Sequence, residues 1–257
     1  MKTLLERLNE GETVFTAWSG VPDPLTVEIM AGQAFDAVTL DMQHGGHHED
    51  SVLRSIPAIL RAGSHPLVRI PVGRFDMASR ALDFGAEGVI APMVNSVADA
   101  KAFAGAMKYP PLGERSWGPT FALPRSAVRN AQEWLLNANT RTIAFAMVET
   151  RQALDCLDGI LETPGIDGIF VGPSDFSIAW TKGAAIDPTR EDMMETLADI
   201  GQRTAAAGKV AAIYITNTNM VGRFSQMGFR FQAIASEHRV IAAGSATLIQ
   251  EARDSLG

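Results

Sequence analysis

Thr142-Ile-Ala-Phe-Ala-Met-Val-Glu149 and Gly168-Ile-Phe-Val-Gly-Pro-Ser-Asp175 are two short apolar runs, each leading into a carboxylate. Each run reads as a buried strand, with its acid at or just past the C-terminal end. An unpaired buried charge is expensive, so a carboxylate leaving such a strand needs a partner. If the strands are neighbours in a parallel sheet, the two acids converge. Two acids without a nearby lysine form a ligand set suited to Mg²⁺ or Mn²⁺, with water and substrate oxygens completing the shell.

The pattern repeats outward from these runs. Strands are expected near Thr13–Trp18, Ala37–Leu40, Leu67–Ile70, Gly88–Ala91, Ile143–Val148, Gly168–Val171, Val210–Ile215 and Phe231–Ile234. Between them lie helical patterns such as Pro24–Gly32, Asp50–Ala62, Met77–Phe84, Val97–Met107, Thr150–Leu161 and Arg190–Ala207. Ala62-Gly63, Phe84-Gly85 and Ala207-Gly208 carry the turn glycines that follow helices. Strand alternating with helix implies parallel βαβ units. Eight such units predict an α/β protein of the (β/α)8 TIM-barrel type. The rival, an open doubly wound sheet, lacks a Gly-rich phosphate-binding first turn. Tyr109–Asn130 reads as a long loop. No linker divides the chain, so residues 1–257 are expected to form a single barrel domain with an N-terminal and a C-terminal helix.

The bulk composition narrows the function classes. The chain has 257 residues, is 46% hydrophobic and carries a net charge of −7 with no basic stretch, which argues against nucleic-acid binding. No apolar run approaches membrane-spanning length, and Met1–Glu10 reads as an amphipathic helix without the apolar core of a signal peptide. A cytoplasmic location is expected. Cys156 is the single cysteine, which excludes disulfides within the chain and a Cys-rich metal site.

In a barrel of parallel strands, the strand C-termini meet at one rim, where chemistry takes place. That rim collects Trp18, Asp41, His44, Arg69, Pro92, Glu149, Gly172 to Asp175, and Tyr214 to Thr216. Glu149 and Asp175 are the candidate metal ligands; the alternative is structural ion pairing with arginines. Asp41 precedes His44 by three residues, and an acid that accepts a hydrogen bond from imidazole suits it to general-base work. A local turn contact is the simpler reading of that pair. His47 and His48 read as solvated, on a loop made mobile by Gly45-Gly46. Arg69 can hold a carboxylate or stabilise an oxyanion, or pair with one of the acids. Gly172-Pro173-Ser174 offers backbone N–H groups to a small carboxylate. Trp18 reads as a wall of the site. Asp167 reads as a loop or cap residue. Of the lysines, Lys2, Lys101, Lys108, Lys182 and Lys209, none is expected at the reactive rim. Schiff-base catalysis therefore lacks its nucleophile, and a metal must be the electron sink.

Six segments carry a specific resemblance: Ser19-Gly-Val-Pro-Asp-Pro24, Leu40-Asp-Met-Gln-His-Gly45, Val68-Arg-Ile-Pro71, Tyr109-Pro-Pro-Leu-Gly-Glu-Arg-Ser-Trp-Gly-Pro119, Met147-Val-Glu-Thr150, and Pro164 through Asp175. Together they resemble the metal-dependent (class II) pyruvate aldolases of the 4-hydroxy-2-oxoheptanedioate and 2-dehydro-3-deoxyglucarate aldolase family. The resemblance implies a barrel of the phosphoenolpyruvate/pyruvate-binding type and a homo-hexamer. It implies Glu149 and Asp175 as ligands of Mg²⁺ or Mn²⁺, with Co²⁺ also allowed. It also implies Asp41 and His44 as a dyad, Arg69 as the enolate-stabilising arginine, and Gly172 to Ser174 as the carboxylate site. Met147 stands where some members have Gln. The implied reaction makes or cleaves a 4-hydroxy-2-oxo acid, from pyruvate and an aldehyde, through a metal-bound enolate. Oxaloacetate decarboxylation would share that enolate. The alternatives are an acyl-CoA lyase of the citryl-CoA lyase type, for which a basic nucleotide patch is missing, and a non-enzymatic ligand-binding barrel.

Overall fold

A computed structural model of the chain describes residues 2–128 and 130–256. Met1, Arg129 and Gly257 fall within the expected N-terminal helix, long loop and C-terminal end, and lie outside the described residues. Eight parallel strands close into a barrel in sequence order. They are β1 (Val14–Ser19), β2 (Ala37–Asp41), β3 (His65–Arg69), β4 (Gly88–Ala91), β5 (Ile143–Val148), β6 (Gly168–Val171), β7 (Val210–Tyr214) and β8 (Phe229–Ser236). All eight expected strands are present, with shifted ends. The third begins at His65, whose N–H donates to Asp36 O at 2.9 Å. The eighth runs to Ser236, and register shifts where it pairs with β1 and β7 accommodate its extra length.

Every strand but the first, seventh and eighth is buried along its whole length. That is why these strands read as continuous apolar runs rather than alternating ones. Two cores result. One lies between barrel and helices. The other fills the barrel with Leu67, Ile90, Phe145, Met147, Phe170 and Phe231, among others. Large rings need small neighbours here. A Cβ on Gly168 would stand 2.6 Å from the Phe145 ring, and one on Gly88 would stand 2.9 Å from Leu67 Cδ2. At the N-terminal end of the barrel, the short helix Leu4–Asn9 inserts Leu4 and Leu8 into the same core and acts as a plug.

Helices flank the barrel, and three departures from the expected pattern have local causes. The expected helix Thr150–Leu161 is two short helices, Arg151–Asp155 and Leu157–Leu161, which meet at Cys156. The expected helix Arg190–Ala207 opens with a 3₁₀ turn, Glu191–Met193, before Met194–Ala206. The long loop contains the one-turn helix Ala122–Arg125 and is followed by Ala131–Arg141, capped by Asn130. Among the described residues no helix is long and apolar enough to cross a membrane.

Asp167 lies in the loop just before β6, as expected, but it is paired there: at the end of the barrel away from the rim where the strands end, it accepts from Lys108 Nζ at 2.7 Å and from Ala144 N at 2.8 Å. Lys108 also donates to the carbonyls of Asn139 and Thr142, so its buried ammonium uses three acceptors. Burial pushes the Asp167 carboxyl up, against the pull of Lys108. Lys108→Ala strands the acid. We expect it to lower the unfolding free energy by about 3–5 kcal/mol, the cost of breaking a buried pair, read as a shift in the urea midpoint.

Candidate active site

The strand ends gather around a cavity of about 280 Å³. Its lining includes Trp18, Asp41, His44 and Arg69 on one side, and Met147, Glu149 and the turn Gly172–Asp175 on the other. Of the rim residues named from the sequence, Trp18, Asp41, His44, Arg69, Glu149, Gly172, Pro173, Ser174, Asp175 and Tyr214 line this one cavity, whereas Pro92, Ile215 and Thr216 do not. Phe170 and Tyr214 complete its wall.

Asp41 and Arg69 form the first half. They are partners in the register of β2 and β3, so their side chains leave the sheet side by side. Arg69 donates Nε to Asp41 Oδ1 at 2.8 Å and Nη2 to Oδ2 at 2.6 Å, a bidentate pair. Trp18 Nε1 donates to Oδ2 at 3.2 Å, and its ring lies 4.9 Å from the guanidinium carbon. The backbone N–H groups of Gln43, His44 and Gly45 also point at this carboxylate. Burial pushes Asp41 up, but Arg69 and these donors outweigh it and hold the carboxyl below its usual range.

This arrangement changes the expected roles. Among the described residues the His44 imidazole makes no hydrogen bond to Asp41; the contact between them is to the His44 backbone N–H, at 3.4 Å. Arg69 is directly opposite Asp41 and presents two donors, so it takes the carboxylate that sequence spacing suggested for the imidazole. His44 stands exposed at the mouth. The glycines after it serve close approach rather than mobility. A Cβ on Gly45 would stand 2.5 Å from Asp41 O and 2.8 Å from Gly20 Cα, and Gly46 N donates to Gly20 O at 2.8 Å. His47 is buried, not solvated. Its Nε2 lies 2.9 Å from Ser19 Oγ and its Nδ1 lies 3.0 Å from Ser51 Oγ. Burial pushes its imidazole down to about 4, against the opposing pull of Glu237 and Asp41.

Glu149 and Asp175 form the second half. Glu149 is 2% exposed, and its Oε1 accepts from Met93 N at 2.8 Å. Asp175 lies in the first turn of the helix Pro173–Trp180 and has no hydrogen-bond or ion-pair partner among the described residues. Burial, with the Asp175 charge adding to it, pushes Glu149 up to about 7; Met93 N–H and Arg69 pull the other way. The alternative of structural ion pairs is not realised at either acid among the described residues, whereas it is realised at Asp41. A Cβ on Gly172 would stand 2.4 Å from Glu149 Oε2, so a larger residue there would displace that carboxylate. Met93 escaped the sequence reading. Its φ of 55° aims its N–H at Glu149, a backbone role that no residue type announces. Trp117 packs on Tyr109 and Trp134, away from the cavity lining.

A divalent cation fits the second half. Among the described residues no group of three or more His, Cys, Asp or Glu is arranged to hold a metal. Two carboxylates, one of them raised by its neighbour, leave several positions for water and substrate oxygens, as Mg²⁺-like ions prefer.

Known proteins share this chain's sequence pattern and fold. The profile of the HpcH/HpaI aldolase/citrate lyase family matches residues 15–243. A hydroxypyruvate/pyruvate aldolase of Rhizorhabdus wittichii is 34% identical over 95% of this chain and 96% of its own length. A 4-hydroxy-2-oxo-heptane-1,7-dioate aldolase of Klebsiella pneumoniae is 30% identical over 95% and 91%. The crystal structure of an HpcH/HpaI aldolase from Desulfitobacterium hafniense superposes with a TM-score of 0.88 at 24% identity, over 98% of this chain and 97% of that one. The chain is a carbon–carbon lyase, and it belongs to the HpcH/HpaI aldolase/citrate lyase family.

Proposed function

We propose that this chain is a divalent-metal-dependent pyruvate aldolase that makes or cleaves a 4-hydroxy-2-oxo acid, with pyruvate and an aldehyde as the other side of the reaction. The observation that carries the proposal is the uncompensated carboxylate pair Glu149 and Asp175, facing the Arg69 guanidinium across one small cavity. Glu149 and Asp175 would hold Mg²⁺ or Mn²⁺, or Co²⁺. The bound cation supplies Lewis-acid polarisation of the 2-oxo acid.

The chain's own groups have distinct tasks. Ser174 N–H lies in the first turn of the helix Pro173–Trp180, where backbone donors lack intrahelical acceptors, and with Gly172 N–H it suits the pyruvate carboxylate. Pro173 fixes the direction of that turn. Arg69 is kept rigid by Asp41 and stabilises the charge that develops on the enolate oxygen. His44 takes the methyl proton and returns it, directly or through water. Trp18 backs the guanidinium and, with Phe170 and Tyr214, keeps one side of the cavity apolar. Met147, rather than a polar residue, meets the substrate from the floor. A cavity of about 280 Å³ suits a small 2-oxo acid and a short aldehyde. The proposal includes a cytoplasmic homo-hexamer.

The decisive experiment follows deuterium into the methyl group of pyruvate in D₂O by NMR. Exchange is expected with Mg²⁺ or Mn²⁺, to be abolished by excess chelator, and to be lost in Glu149→Ala and Asp175→Ala. A folded, metal-loaded protein that leaves the methyl protons in place sinks the reading.

A pH dependence follows from Glu149. Its folded pKa lies above its ordinary value of 4.5, so the metal-free native state binds more protons than the unfolded state between about 4.5 and 7. Stability of the metal-free protein therefore falls as pH rises through that window, by on the order of 3 kcal/mol in all. Glu149→Gln should flatten this slope in urea titrations at each pH. Because the cation needs the carboxylate, metal affinity should rise over the same range, which calorimetry can measure.

A further inference from the structure

Glu237 is the first residue of the long helix Glu237–Asp254, and it is 4% exposed. A lone carboxylate buried at that level needs a full set of donors, and it has them. Its Oε1 accepts from Ser19 Oγ at 2.5 Å and from Val21 N at 3.3 Å; its Oε2 accepts from Gly20 N at 3.0 Å. All three donors belong to the segment that follows Trp18 out of the barrel. Ser19 has one proton, which the short contact gives to Glu237. Ser19 Oγ therefore accepts from His47 Nε2–H, at 2.9 Å. Ser19 is fully buried and the cavity lining does not include it, Glu237 or His47. None of the three touches the reacting atoms.

Their effect is on the loop that carries His44. The imidazole of His44 has no hydrogen bond among the described residues, so its position is set by its backbone. On its C-terminal side that backbone is held by Ser19 and Gly20: Gly46 N donates to Gly20 O, Gly45 lies against Gly20 Cα too closely for any Cβ, and His47 is tied to Ser19. On its N-terminal side Gln43 N and His44 N donate to Asp41. Glu237 fixes Ser19 and Gly20 themselves. We propose that Glu237, acting through Ser19, Gly20 and His47, is a positioning residue for His44 in the aldolase reaction. The inference rests on the role of His44 proposed above. A bond network buried behind the site is worth its desolvation cost only if it fixes something. Here it fixes the backbone of a residue whose imidazole no side chain holds among the described residues.

The test uses the full-length, metal-loaded protein with Glu237→Gln and Ser19→Ala. Two quantities are followed: methyl exchange of pyruvate, and amide deuterium uptake of residues 42–47 by mass spectrometry. We expect the kcat of exchange to fall roughly tenfold to a hundredfold, as for an ångström-scale misplacement of a reacting group. KM for pyruvate should stay within about twofold, because the carboxylate site lies on β6, and the loss should fall on the transition state. Amides 42–47 should lose protection while the rest of the barrel keeps it. The double variant should cost no more than Glu237→Gln alone, since both act through one path. Wild-type kcat in either folded variant overturns the proposal. So does a loss of amide protection spread evenly over the barrel, which marks a merely structural carboxylate. If Glu237→Gln does not fold, Ser19→Ala, which leaves the Gly20 and Val21 bonds intact, decides alone. If the wild-type protein itself exchanges no methyl protons, the aldolase reading fails. The amide measurement then still judges whether Glu237 orders the loop.

Discussion

The register between β2 and β3 is the constraint on which the catalytic rim depends. It sets Asp41 opposite Arg69 at the last ladder position before both strands end. A guanidinium buried there needs a carboxylate, and a carboxylate needs donors; each supplies the other in bidentate geometry. Breaking such a buried pair costs several kcal/mol, because the survivor is left charged and dry. The remaining oxygen lone pairs then recruit Trp18 and the N–H groups of residues 43 to 45. One ion pair thus fixes a wall of the cavity, the turn after β2 and the cationic group that faces the substrate.

The opposite side of the cavity is built on the reverse principle. Glu149 receives one backbone N–H and is pushed up by burial and by Asp175. Under the proposed metal role, such a site would be unfavourable until a cation arrives, which is one way to store affinity for a hard ion without a dedicated cage of ligands. Satisfied charge on β2 and β3 and the unsatisfied charge of Glu149 just after β5 are two answers to the same burial problem. The difference lies in whether an arginine stands opposite.

The strands were legible because parallel barrel strands are buried on both faces and read as unbroken apolar runs. The rim was legible for the same reason: Glu149 and Arg69 are conspicuous as charges at the ends of such runs. Strand ends and helix breaks were less so, since no residue type marks the 3₁₀ turn at Glu191 or the break at Cys156. Pairing was the least legible. Asp41-Met-Gln-His44 suggested a side-chain dyad, yet the partner was Arg69, 28 residues away at the end of the next strand. His47 looked solvated beside two glycines, and only the approach of Gly45 to Gly20 explains why that loop is packed and His47 buried. Met93 could not be found from residue type, because it contributes only an N–H.

The competition for Asp41 also bears on how His44 works. A carboxylate held below its usual range by a guanidinium is a weak acceptor for a further proton. It cannot both clamp Arg69 and draw an imidazole into a strong bond, since its oxygens are already spoken for. In the proposed reaction, with Arg69 rigid at the developing oxyanion, His44 as proton carrier would have to be held by another route. The backbone is the route available: residues 44 and 45 are tied to Asp41 by N–H groups, Gly46 to Gly20, and His47 to Ser19. Such fixation leaves both nitrogens of the imidazole open to substrate and water, a freedom that a group shuttling protons requires.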